Sequence, residues 1–210
     1  MCRLLLVKSD ELFEAKTFLE KFSEVSKNSS EFQGHGWGCS MLVENEWKHY
    51  KSIKPVWEDD LSKFGKASLL IAHARSAFND DGISVENNMP FYDDKYIFIF
   101  NGELRGVKIK SEGRIGAEKI FNFIIKFDKG NIEEAIIKGV NIINRRTAYV
   151  RAMNFIIADK ENVYLYSKFG ENPEYFTVHF KSEKQLVICS EKFPGENDWV
   201  EIENNSLNKF

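Results

Sequence analysis

The sequence predicts an α+β protein in which antiparallel sheets carry helices on their outer faces. Two observations lead there. The order of patterns along the chain is strand, helix, several strands, two helices, several strands. The apolar residues recur at helical steps in three stretches and form short β-prone runs nearly everywhere else. The size fits: 210 residues with 43% apolar and 29% charged content describe a globular chain read as a single domain over residues 1–210.

Cys2 to Val7 is apolar apart from Arg3 and reads as a buried strand that begins at once. Ser9-Asp10 is expected to open a helix, with Leu12, Ala15, Leu19 and Phe22 on its apolar face. Gly34-His35-Gly36-Trp37-Gly38 packs three glycines into five residues, the mark of a tight turn or a close approach. A strand from Cys39 to Val43 follows, and Glu46 to Ile53 is its return strand. Leu69 to Arg75 is a buried strand ending in polar groups, where Arg75 suits either a carboxylate ligand or a structural ion pair. Asn79-Asp80-Asp81-Gly82 reads as a turn, and Glu86 to Phe91 as a loop fixed by Pro90. Tyr96 to Phe100 is a strand expected to stop at Asn101-Gly102. That dipeptide is either a hairpin turn or an amide and a backbone N–H converging on an oxyanion. Helices are expected from Ala117, ending at Gly130-Asn131, and from Ile132 to Ile143. The rest reads as two strand pairs: Asn154–Ala158 with Val163–Lys168, and Tyr175–Phe180 with Leu186–Ser190.

The chemistry centres on Met1-Cys2. Aminopeptidases generally trim Met before a small second residue, which would leave a thiol and a free α-amine on Cys2. The thiolate is the nucleophile and the amine titrates near pH 8 at about the right strength to act as its base. Three cysteines at positions 2, 39 and 189 make neither a disulfide framework nor a zinc pattern, which fits a reducing, cytoplasmic setting. A net charge of −3 gives no electrostatic case for nucleic acid. No apolar run approaches the roughly 20 residues of a membrane span.

Six motifs then occur in order: Met-Cys-Arg-Leu-Leu, Gly-His-Gly-Trp-Gly, Ala-His-Ala-Arg-Ser-Ala, Glu-Asn-Asn-Met-Pro-Phe, Phe-Asn-Gly-Glu-Leu and Cys-Ser-Glu. Together they resemble the class II glutamine amidotransferases of the N-terminal-nucleophile hydrolase superfamily, in particular stand-alone members that hydrolyse γ-glutamyl amides and glutathione-derived peptides. The resemblance implies a four-layer α-β-β-α sandwich with Cys2 at the start of an inner strand. It implies Cys2 as nucleophile toward glutamine or a γ-glutamyl compound, and Asn101 with Gly102 as the oxyanion hole. It further implies Arg75, Trp37, Gly38 and Glu118 around the substrate, a thioester intermediate, and no metal or organic cofactor.

The chain departs from the family pattern where His35 replaces Asp, Met89 and Phe100 each replace His, and Gly116 stands in the place of an Asp that holds the substrate α-amine. Glu112 and Glu118 are the carboxylates near enough in sequence to substitute. Two alternatives follow: a catalytically degenerate member that binds a metabolite or partner, and an ammonia-donating subunit that needs a separate synthase.

Overall fold

A computed structural model describes residues 1–77 and 82–210, so most of the expected turn at 79–82 lies outside the described residues. In chain order the first half contains β1 (Arg3–Glu14), α1 (Ala15–Lys27), β2 (Trp37–Val43), β3 (Glu46–Ser52), β4 (Lys66–Ala74), β5 (Phe91–Tyr92) and β6 (Ile97–Arg105). The second half contains α2 (Gly116–Ile125), α3 (Ile132–Arg145), β7 (Tyr149–Ala158), β8 (Val163–Ser167), α4 (Pro173–Phe176), β9 (His179–Ser182), β10 (Leu186–Cys189), β11 (Val200–Glu201) and β12 (Ser206–Lys209).

The strands form a seven-stranded sheet in the order β11-β9-β10-β1-β4-β2-β3 and a five-stranded sheet in the order β12-β8-β7-β6-β5. Every pairing between these strands is antiparallel. Helix α1 covers the outer face of the larger sheet, with Leu19, Phe22 and Val25 packed on Leu5, Val7, Leu70 and Ala72. Helices α2 and α3 cover the smaller sheet, where Phe121 stacks on Phe98 at 5.1 Å. The result is the α+β sandwich of two antiparallel sheets flanked by helices.

Burial on both faces explains why β1 and β4 read as continuous apolar runs. Successive strand residues point to opposite faces. Leu4 and Leu6 enter the core shared with the second sheet, and Leu5 and Val7 enter the core beneath α1. Helix α3 buries Ile132, Ala135, Ile136, Gly139, Val140 and Ile143, the stripe its sequence predicts. Gly139 lets α2 come close, because a Cβ there would meet Ile124 at 2.9 Å.

Four boundaries differ from the sequence expectation. The segment at Ser9-Asp10 stays extended and α1 begins at Ala15, because β1 resumes pairing with β4 at Phe13 and Glu14 after a register shift. Leu12, expected on the helix face, is 59% exposed. β6 runs on through Asn101 and Gly102 to Arg105, since β7 continues to pair with it. Helix α2 stops at Ile125, and Asn131 instead caps α3 by accepting the Glu134 N–H at 3.3 Å. Tyr175 and Phe176 belong to the short helix α4 and not to a strand.

Candidate active site

The central position of β1 fixes Cys2. Arg3 pairs with Ala74 on β4, so Cys2 sits where the seven-stranded sheet opens toward Arg75 and Ser76. By alternation with Leu4 and Leu6, Cys2 points into the space between the sheets. Its Sγ lies 3.5 Å from the Ser76 nitrogen and 3.7 Å from the Ser76 oxygen. Burial raises the thiol pKa, opposed by the chain-terminal charge, the Ser76 N–H and Arg75.

Asn101 faces Cys2 from the other sheet. The Cys2 N–H donates to Asn101 Oδ1 at 2.9 Å. The Asn101 side chain is fully buried, and its Nδ2 has no hydrogen-bond partner. An unpartnered buried amide donor costs stability, so this group is poised for an acceptor that the described residues do not supply. Gly102 follows on the same strand. A Cβ there would lie 2.2 Å from the Ala152 oxygen, so packing alone demands glycine.

His73 ties the two sheets together immediately below this point. Its Nε2 is 3.2 Å from the carbonyl oxygen of Phe100, the residue before Asn101. A carbonyl only accepts, so Nε2 carries the proton and the ring is neutral. Burial, reinforced by the Arg75 charge, drives the His73 pKa down to about 3. The unfolded chain, with a pKa of about 6.5, therefore takes up this proton first as the pH falls. The stabilising contribution is complete above the unfolded value and is lost on the way down to the folded one. Between pH 7 and pH 5 the native protein is expected to lose about 2 kcal/mol of unfolding free energy through this group. Urea titrations of wild type and His73→Gln at both pH values check this, and parallel losses in the two proteins would refute it.

Arg75 is buried, 6% exposed, and its charge has no carboxylate partner among the described residues. Its guanidinium donates to the Gly82 carbonyl at 3.0 Å and to Asn88 Oδ1 at 3.4 Å. The glycine-rich loop is locked against the same strand end. His35 N–H donates to the Arg75 carbonyl, and His35 Nδ1 accepts the Ala77 N–H at 2.8 Å. Histidine thus supplies an acceptor where the family pattern has a carboxylate. Gly36, at φ +104°, sits so close to Asn88 that a Cβ would lie 2.1 Å from its Nδ2.

Two expected site residues lie elsewhere. Trp37 is fully buried in the core beneath α1, against Tyr50 and Phe64, and its Nε1 donates to Asp59 at 2.9 Å. It faces away from the space that Cys2 enters, because Trp37 and Cys39 share the helix-side face of β2. Gly38 faces the other way, with Met89 O 2.6 Å from where its Cβ would be. Glu118 is held by the Arg114 guanidinium and backbone N–H. It lines a cleft of about 450 Å³ with Lys51, Phe91 and Tyr92, whose walls do not include Cys2. Conversely, the structure brings Glu31, Gln33 and Tyr175 to the chain terminus beside Cys2, and none of them carries a recognisable motif. No cluster of His, Cys, Asp or Glu among the described residues has the arrangement of a metal site.

This architecture is the fold of solved class II glutamine amidotransferase domains. In particular it matches glutamine phosphoribosylpyrophosphate amidotransferase from B. subtilis, with TM-score 0.68 and 15% identity over all of this chain and 49% of that one. It also matches a glutamine aminotransferase class-II domain protein from Silicibacter pomeroyi, with TM-score 0.63 and 14% identity over 99% of this chain and 94% of that one. A predicted glutamine amidotransferase from Pseudomonas aeruginosa aligns with TM-score 0.64 and 13% identity over 100% and 97%. The chain spans about half the length of the first of these. No protein-family model and no curated protein matches the sequence. No helix among the described residues is long and apolar enough to cross a membrane.

Proposed function

We propose that the protein is an amidohydrolase of glutamine or γ-glutamyl compounds, with Cys2 as nucleophile in a form that begins at Cys2. The observation that carries this reading is the Asn101 carboxamide. One end accepts from the Cys2 nitrogen and the other is a buried donor awaiting an acceptor. A carbonyl oxygen that becomes an oxyanion supplies that acceptor.

The reaction then runs in two halves. The Cys2 α-amine takes the Sγ proton, and Sγ attacks the side-chain amide carbon of the substrate. The tetrahedral oxyanion is held by Asn101 Nδ2, with the Gly102 N–H as second donor. The C–N bond breaks, and the leaving nitrogen takes the proton from the α-ammonium. Water, deprotonated by the same amine, attacks the thioester and releases the acid and the thiol. Arg75 takes the substrate α-carboxylate: a buried guanidinium with no carboxylate partner among the described residues favours such a ligand. Glu118 and Trp37 take no part in this scheme.

The test is covalent trapping. A protein beginning at Cys2, incubated with a diazoketone analogue of glutamine, should gain one adduct mapped by peptide mass to Cys2. An unlabelled Cys2 in a correctly trimmed, folded protein would refute the reading.

A further inference from the structure

A cleft separate from Cys2 opens where the two sheets end side by side. Strand β3 is the edge of the larger sheet and β5 the edge of the smaller, and residues of both line a cleft of about 450 Å³ beside the first turns of α2. Lys51 enters it from β3. Its register partner is Gly38, where a Cβ would lie 3.1 Å from the Lys51 Cγ, so glycine makes room for the lysine stem. The Lys51 Nζ stands 5.1 Å from the centre of the Phe91 ring and 5.8 Å from that of Tyr92. Among the described residues it makes no hydrogen bond and no ion pair. Arg114 faces the same Phe91 ring at 5.6 Å. It gives its backbone N–H, Nε and Nη2 to Glu118, and its Nη1 has no hydrogen-bond partner among the described residues.

We propose that this cleft binds a small organic monocarboxylate with a flat apolar arm. The carboxylate bridges Lys51 Nζ and Arg114 Nη1, and the arm lies across Tyr92 and Val85. The inference is independent of the role of Cys2.

Charge sets the anionic end. Glu118 already balances Arg114, and Glu86 is exposed with its carboxylate turned to its own backbone and to Ser84. Lys51 is left as one half-buried cation without a contact partner, which a single carboxylate answers and a phosphate dianion exceeds. Apolar surface sets the other end. Val85 and Tyr92 are large exposed residues on the same cleft. The Tyr92 ring is fixed in advance, because His49 stacks on it at 3.6 Å and Ser40 Oγ holds His49 Nδ1 at 2.8 Å. The volume lies within the range of small-molecule sites, about 300–1,000 Å³.

The titratable groups around Lys51 are Arg114, Glu118, Glu86, His49 and Tyr92. Burial, and then the Arg114 charge, bring the Lys51 pKa down to about 8 against the opposing pull of Glu118 and Glu86. Burial, and then Lys51 itself, hold the His49 pKa down, so that ring is neutral at pH 7 and above. A carboxylate on Nζ favours the ammonium and raises its pKa. By linkage the ligand prefers the protonated lysine, so its affinity is full below about pH 8 and falls above it.

The test is calorimetry of the full chain with 3-phenylpropionate, acetate and inorganic phosphate at neutral pH. Phenylpropionate is expected to bind at least about tenfold more tightly than either of the others. Lys51→Gln should weaken it by about tenfold or more. Tyr92→Ala should weaken phenylpropionate and leave acetate unchanged. The wild-type affinity should drop as the pH rises past about 8, whereas Lys51→Arg, charged throughout, should bind without that drop. Lys51→Arg and Tyr92→Ala decide the matter if Lys51→Gln does not fold. No saturable heat from the wild type, or affinity untouched by Lys51→Gln and Tyr92→Ala, would overturn the site. Phosphate binding as tight as phenylpropionate would overturn the monocarboxylate class.

Discussion

Protein that retains Met1 is expected to hydrolyse no amide measurably, while the same chain beginning at Cys2 turns substrate over. In the retained form the Cys2 nitrogen is a peptide N–H. It has no lone pair to give and already donates to Asn101 Oδ1 at 2.9 Å. The thiol then has no built-in base, and burial holds its pKa up, so the thiolate fraction at neutral pH is small. Removal of a general base alone costs about 10²–10⁴ in rate. The measurement is glutamate release by the two forms, separated and identified by intact mass, with Cys2→Ala as the floor. Equal rates from both forms would show that the terminal amine does no catalytic work.

Asn101→Ala is expected to lower kcat by about 10²–10³, or roughly 3–4 kcal/mol of barrier, with KM changed far less. The Nδ2 donor has no partner among the described residues, and under the proposed function it gains its full partner as negative charge develops. An interaction made mainly in the transition state appears in kcat. Asn101→Asp sharpens the experiment. It keeps an acceptor for the Cys2 nitrogen but replaces the donor with an anion facing the oxyanion, so it should be slower than the alanine variant. A kcat within fivefold of wild type for Asn101→Ala, at unchanged melting temperature, would remove Asn101 from the mechanism.

How much of this could be read from the chain depended on parity and distance. The strand at Cys2, the strand ending at Arg75, helix α3 and the β7–β8 hairpin each carry their own local pattern, so their existence was legible. The extension of β1 past Ser9 was not, because the pairing that sustains it comes from Ala67 and Lys66, more than fifty residues away. Trp37 and Gly38 are neighbours in one motif, yet a strand sends them to opposite faces. Only the sheet order tells which face Cys2 shares. Glu118 sits at the head of a helix, as expected, but Arg114 one turn earlier claims its carboxylate. Glu31, Gln33 and Tyr175 converge from segments with no periodicity, and a carbonyl acceptor on Met1 is what joins them.

The placement of β1 between β10 and β4 has a temporal consequence. A ribosome adding about 5–20 residues per second exposes the amino terminus long before Leu186–Cys189 is made. Until that last neighbour arrives, β1 lacks one of its two flanking strands and Met1 stays open to a trimming enzyme. Afterwards the same residue is roofed by Tyr175 and clasped by Glu31. Under the proposed function, trimming that exposes Cys2 is expected to precede the closing of this sheet.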